Sequence, residues 1–452
     1  MIYQSRKQMT YAIKICIFLL RGNTENGRNR SGLKSHNPLY GSERNIKHNL
    51  FLFFIDGIAF TPAMTLISIT TVIPYFLTHL GASNFQIALA ISIPLICNFV
   101  GQPFFGFVAT HSRVMNKTFG NILLLQRLIF LGFVLCIPLF ARTGTIFVWI
   151  FLFCWSVFNF FVGSYGVFYT PLMLNLLPPD KRGVIRGMGD AVGSGLGLAV
   201  AALIPLLLGR FAFPVNYTLI FSFGSLFLIM DAIIFYFMRQ HEHVTPNLPM
   251  SIVQYLREMP FSIRTNVPFR AFILTSMFLV AANSLLPYYT LYAIRVFKAT
   301  ESHIAIFAGL AVISNAVGYI VFGAITDRRG PNKTMILAAI FVLLAGAIAL
   351  STKSLGMLFV AWALANIGNT GYSLTSSILL GAVSPLTKLP LYVGVQTTIS
   401  LALSSAVLLL LAPIMESIGY VLLFATVFAC GLFSLLINLF ILQKQLAHIS
   451  VR

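Results

Sequence analysis

Apolar positions in this chain run in long unbroken blocks instead of alternating with polar ones: 50–80, 86–109, 119–139, 145–174, 189–208 and 217–237, then 271–296, 304–326, 335–350, 355–383, 393–415 and 420–442. A helix rises about 1.5 Å per residue, so about 20 apolar residues cross a hydrocarbon core about 30 Å thick. Within that core, only helices and closed barrels satisfy every backbone group. Barrel strands alternate apolar and polar residues over about ten positions, and these blocks do not. The pattern therefore predicts an all-α polytopic membrane protein with about twelve transmembrane helices, arranged as six plus six.

The polar intervals predict the organisation: a basic cytoplasmic tail (1–48), an N-terminal six-helix bundle (49–238), a cytoplasmic linker (239–270), a C-terminal six-helix bundle (271–443) and a short tail (444–452). The apolar patch at 11–20 is too short to span and lacks a small-residue cleavage site, so the tail is expected to rest on anionic headgroups. Within the linker, 251–259 reads as an interfacial helix ended by Pro260. The two sets of blocks also repeat one another. Trp155, Tyr165 and Pro179 have counterparts about 207 residues on in Trp362, Tyr372 and Pro385, and Gly106-Phe-Val-Ala-Thr-His matches Gly323-Ala-Ile-Thr-Asp-Arg. Such duplication marks pseudo-symmetric halves that alternate access by rocking against each other.

Composition agrees, with 58% hydrophobic and only 9% charged residues, against about a quarter charged in soluble domains. The net charge of +19 is a topology signal and not a nucleic-acid footprint. Of the 30 Lys and Arg residues, 24 fall on the side of the N-terminus, 5 on the other and 1 inside a span. That asymmetry predicts a multi-pass protein of the cell membrane with both termini cytoplasmic. The five cysteines are scattered, with no paired spacing. The histidines fall in tails, loops and helix ends, and His241-Glu-His243 lacks the HExxH spacing, so no metal site is expected. No phosphate-binding P-loop occurs, and no cofactor is expected. Gly189, Gly193 and Gly197 recur every four residues, a stripe for close helix packing and not a dinucleotide fingerprint.

Of the eleven acidic residues, only Asp56 and Asp231 lie well inside blocks, with Asp190 at an edge; Arg127 is the basic residue inside a block. Asp56, Asp231 and Arg127 each sit seven or eight residues from the cytoplasmic end of their helices, at a common depth of about 10 to 12 Å. They form either a permanent ion pair that holds the N-terminal half together or a protonatable coupling site.

Gly323-Ala-Ile-Thr-Asp327-Arg328-Arg329-Gly330-Pro-Asn-Lys333 resembles the loop motif G-x-L-A-D-R-x-G-R-R/K of the major facilitator superfamily. Thr71-Val-Ile-Pro74 through Gly81-Ala-Ser83-Asn-Phe-Gln86, and Pro179-Asp-Lys-Arg182-Gly-Val-Ile-Arg186-Gly187, are similar to further stretches of that family. The resemblance implies close helix approach at Gly106, Gly323 and Gly330, and a charge latch built from Asp327, Arg328 and Lys333, with Lys388 as a further member. The N-terminal copy departs from the pattern, with Thr110 and His111 where Asp and Arg belong, and the antiporter motifs fail at Asn159 and at 189–197.

The resemblance also implies that spans one, four, seven and ten line a central cavity. On them stand Thr61, Thr65, Asn159, Tyr165, Asn283, Tyr288, Tyr289, Asn366, Asn369 and Tyr372. That set contains no Arg or Lys, which favours a neutral or weakly cationic solute. The expectation is a monomeric secondary transporter or facilitator of a small molecule in the bilayer, proton-coupled or not, importer or exporter. The alternatives are a sugar or metabolite importer of the same fold and a non-transporting sensor on it, and no enzyme is expected, for want of a convergent catalytic set in the spans.

Overall fold

A computed structural model describes residues 43–69, 72–240, 251–299, 301–418 and 420–450. The tail patch at 11–20, Cys16 and the pair His241 and His243 lie outside these residues. Every regular element described is helical. The N-terminal half comprises α1 (Glu43–Leu66), α2 (Val72–His79), α3 (Asn84–Thr110), α4 (Met115–Phe140), α5 (Thr145–Val162), α6 (Ser164–Leu176), α7 (Arg182–Ala201), α8 (Leu203–Arg210) and α9 (Val215–Phe237). The linker helix α10 (Ile252–Thr265) follows. The C-terminal half comprises α11 (Val267–Ser284), α12 (Pro287–Phe297), α13 (Glu301–Arg329), α14 (Pro331–Leu350), α15 (Leu355–Val383), α16 (Leu389–Ile418) and α17 (Tyr420–Ile437), the last running through a π-helical turn. Among the described residues, ten segments are long and apolar enough to cross a membrane; α15, with 29 residues, and α16, with 30, complete twelve. The outward faces carry large apolar side chains in the open, Leu139 at 73% and Phe153 at 70% exposure, as lipid-facing surfaces do.

Several blocks that read as continuous are broken. The fourth span divides at Gly163, where a Cβ would stand 2.7 Å from the Gly101 backbone, so α3 and the α5–α6 junction touch main chain to main chain. The seventh divides just before Pro287, whose ring starts α12 at the position a helix accepts best. Conversely, Pro260 does not end the linker helix. A Ser251–Gln254 capping box starts α10, and it continues to Thr265. The carbonyl that Pro260 leaves without a donor belongs to Leu256, 48% exposed, where solvent can satisfy it.

The internal repeat holds at the level of single hydrogen bonds. Trp155 Nε1 donates to the Ala90 carbonyl at 3.1 Å, and Trp362 Nε1 to the Phe307 carbonyl at 2.8 Å. Asn159 Nδ2 donates to the Trp155 carbonyl, and Asn366 Nδ2 to the Trp362 carbonyl. The glycine stripe packs α7 on α1: a Cβ on Gly189 would lie 2.9 Å from the Phe54 carbonyl oxygen, and one on Gly197 3.0 Å from Thr65 Oγ1. One buried apolar cluster, from Ala63 to Leu228, belongs to the N-terminal half alone. The other runs from Leu50 to Leu442 and joins both halves. They share a core toward the face that carries α10, here the linker side.

Candidate functional site

Between the halves lies a cavity of about 390 Å³. The N-terminal half contributes Asn98 and Gln102 from α3, Tyr165 and Tyr169 from α6, and Arg186 from α7; the C-terminal half contributes Tyr372 and Ser377 from α15 and Gln396 and Thr397 from α16. Thirteen of its nineteen lining residues carry an amide or hydroxyl, interspersed with apolar surface, so the cavity can exchange water's hydrogen bonds for those of a polar solute.

Three of the expected cavity residues line it: Tyr165, Asn369 and Tyr372. The others lie outside. Thr61 and Thr65 pack against Gly193 and Gly197 at the α1–α7 contact. Asn159 and Asn366 turn back onto tryptophan carbonyls. Tyr289 is buried against Trp362 and Phe424, while Asn283 and Tyr288 stand beside the break between α11 and α12. Spans four, seven and ten still supply eleven of the nineteen lining residues, and spans two, five and eleven supply the other eight. Their signal was visible as polar residues four apart in apolar helices: Asn98 and Gln102, then Gln396 and Ser400.

Arg186 adds a cation to the wall, where the expected set of cavity residues held none. Four residues past the start of α7, it reads in sequence as a loop charge, yet it lines the cavity. Its Nη1 donates to Ser377 Oγ across the halves at 2.6 Å, its Nε lies 3.7 Å from Asp190, and its guanidinium sits over the Tyr169 ring, 5.6 Å from the centroid.

Behind the tyrosines, the structure brings Asp56, Asp231 and Arg127 together. Arg127 Nη2 donates to Asp231 Oδ2 at 2.6 Å, Nε to the Leu228 carbonyl at 2.9 Å and Nη1 to Gln126 Oε1 at 2.5 Å. Arg127 is thus committed to Asp231 and not to Asp56. The Asp56 carboxyl lies beside that of Asp231 and beside Tyr169, and Tyr165 Oη donates to it at 3.4 Å. Asp56 is 2% and Asp231 0% exposed. Asp231 Oδ1 finds no donor among the described residues.

On the linker side Asp327 makes other contacts than the charge latch that the family resemblance implies. Asp327 Oδ1 and Oδ2 accept from the backbone N–H groups of Gly183 and Val184, at 2.8 and 2.7 Å, so its partner is the N-terminus of α7 in the opposite half. Arg328 and Lys333 are exposed, and Lys388 pairs with Glu258 of α10 at 3.0 Å. Gly183 and Gly323 let the two backbones meet, since a Cβ on either would stand within 2.7 Å of the other's carbonyl oxygen. Gly330 turns the chain into α14 at φ 86°, a backbone that favours glycine. Asp327→Asn removes the charge at the α7 terminus, an effect on the order of 1 kcal/mol and several-fold in population. It should slow turnover more than it weakens solute binding, measured as flux and affinity side by side. A change in affinity alone would remove Asp327 from the latch.

The N-terminal copy closes by other means. Thr110 Oγ1 donates to the Phe107 carbonyl of its own helix. In place of the missing carboxylate, Tyr255 of α10 stands fully buried between Gly106 of α3 and Gly394 of α16; a Cβ on either glycine would collide with its hydroxyl. Burial pushes this phenol up, so it stays neutral, and the hydroxyl finds no partner among the described residues. Shape, not hydrogen bonding, holds it. Tyr255→Phe should therefore leave the seal intact, whereas Tyr255→Ala should speed labelling of a Ser376→Cys reporter by a thiol reagent on the linker side. Equal labelling rates in both variants would show that Tyr255 does not close this face.

A family model of the Major Facilitator Superfamily matches residues 58–384. No curated protein matches the sequence. Among solved structures, a bacterial homologue of the iron transporter ferroportin, in the outward-facing state with soaked iron, is 15% identical, covers 89% of this chain and 99% of its own, and superposes with a TM-score of 0.67. The Escherichia coli fucose:proton symporter FucP is 14% identical over 89% and 98%, TM-score 0.66. The proton:xylose symporter XylE bound to 6-bromo-6-deoxy-D-glucose is 12% identical over 88% and 96%, TM-score 0.64.

Proposed function

The chain belongs to the Major Facilitator Superfamily, and on that premise we propose that it is a monomeric carrier, not an enzyme, moving a small polar organic solute across the cell membrane by alternating access. The moving units are residues 49–238 and 271–443. The observation that carries this reading is the cavity shared by both halves beside a seal on one face. Among the described residues, four hydrogen bonds cross between the halves at or below the cavity: Gly183 N–H and Val184 N–H to Asp327, Arg186 to Ser377, and Thr397 to Gln102 at 2.8 Å. If the Lys and Arg asymmetry sets the orientation, the linker side is cytoplasmic and this conformation faces outward, as the ferroportin homologue does.

Coupling to protons fits the Asp56, Asp231 and Arg127 cluster. Two carboxylates and one guanidinium leave an excess negative charge in a buried site, and one proton on Asp56 balances it. That proton also supplies a donor to a carboxyl pair that otherwise offers only acceptors. Tyr165 and Tyr169 touch both Asp56 and the cavity, so a solute is separated from the proton site by a single layer of side chains.

The test is flux in proteoliposomes. A solute found by thermal-shift screening of the purified protein should exchange across the bilayer and accumulate under an imposed pH gradient. Binding without flux would replace the carrier with a sensor. Tags at both termini should report from the cytoplasm, and an external signal at the C-terminus would overturn the proposed topology.

A further inference from the structure

We propose that the cavity selects solutes bearing a carboxylate, with Arg186 as the residue that receives it and Asp190 as the internal counter-ion that the carboxylate displaces. This deepens the carrier reading and rests on it. An arginine offers five N–H donors in a planar fork. Ser377 Oγ takes one of Arg186's at 2.6 Å, whereas the Asp190 contact, at 3.7 Å, is beyond hydrogen-bonding distance. The Arg186 side chain keeps 20% of its surface open, and it is the cavity's single cation among the described lining residues. Among the described residues, no carboxylate lines that wall.

A guanidinium inside a membrane protein needs a charged partner. Asp190 serves loosely, from one turn further along α7, and leaves the fork's N–H edge under-used. An incoming carboxylate can meet that fork with two parallel hydrogen bonds, the geometry arginine matches best. The Tyr169 ring behind the guanidinium fixes its plane. One cation suits one carboxylate better than a phosphate dianion, and the surrounding hydroxyls and amides suit the neutral polar remainder of the solute. Arg186 also bonds the opposite half through Ser377, and its helix carries the N-terminus that Asp327 holds. A solute that takes Arg186 therefore acts on a helix tied to the other half at two points.

The experiment measures thermal stabilisation of the purified full-length protein by matched probes: gluconate against sorbitol, lactate against propane-1,2-diol, benzoate against benzyl alcohol, and glucose 6-phosphate for the phosphate alternative. At least one carboxylate should stabilise more than its neutral partner. Its apparent affinity should fall by about tenfold or more in Arg186→Gln, and fall less in Arg186→Lys, which keeps the charge but loses the fork. Asp190→Asn, which frees the guanidinium, should tighten it. The opposite signs at Arg186 and Asp190 separate recognition from damage to the fold. The inference is overturned if no carboxylate exceeds its neutral partner, if glucose 6-phosphate alone stabilises, or if carboxylate binding survives Arg186→Gln unchanged. Carboxylate binding without flux would instead sink the carrier reading and leave the recognition intact.

Discussion

Asp56→Asn should abolish accumulation driven by a pH gradient while sparing exchange and downhill flux. The side chain changes by one atom, and the amide keeps both a donor toward Asp231 and an acceptor for the Tyr165 hydroxyl. It cannot release a proton. The variant is therefore locked in the equivalent of the protonated state, in which two acids and one arginine are already balanced, so the fold should be undisturbed. What is lost is the ability to alternate between charge states as the halves rock. Vesicles with an imposed pH gradient provide the measurement, with counterflow in the same preparation as the control for a working cavity. Unchanged accumulation would return Asp56 to a structural role and leave uniport as the simpler mechanism.

How far the sequence reaches depends on the kind of contact involved. The helices and the repeat were legible because hydrocarbon allows one backbone solution, and because Trp155 and Trp362 make the same bond in each half. The buried cluster was legible from depth alone, since so few ionisable residues lie within the blocks. Its internal order was not. That Arg127 chooses Asp231 over Asp56 is a matter of side-chain direction between α4 and α9.

The cavity was the harder part. Counting from the family's cavity helices placed Thr61 and Thr65 on the wall, but the small residues of α7 bring α1 in so close that these hydroxyls meet glycines instead. Arg186 was hidden for the opposite reason. It follows Lys181 and Arg182 and reads as one more loop cation, yet α7 begins at Arg182 and carries it a turn inward. The motif Gly323 to Lys333 lies where the two halves touch, but its charged side chains suggested other partners than those found, because backbone N–H groups at a helix N-terminus leave no signature in the residues that bear them.

Arg127→Met should strongly destabilise the protein, and a second change should undo the damage. Removing one member of a buried pair leaves an uncompensated charge and costs about 3–5 kcal/mol, whereas removing both is often neutral. Arg127 is 2% exposed and also satisfies the Leu228 carbonyl and Gln126, so Arg127→Lys should recover only part of the loss. Arg127→Met combined with Asp231→Asn should restore most of the melting temperature in detergent, because Asp56 can then remain neutral with no charge beside it. The double variant also divides the two readings of the cluster. If it melts like the parent and still accumulates solute under a pH gradient, Asp56 alone carries the proton and the pair is a brace. If it melts like the parent but only exchanges, the Asp231 charge is part of the coupling, since it is what makes the second proton affinity of the site depend on the first. A single Arg127→Met variant as stable as the parent would sink both readings, because it would mean that the Asp231 charge needs no partner.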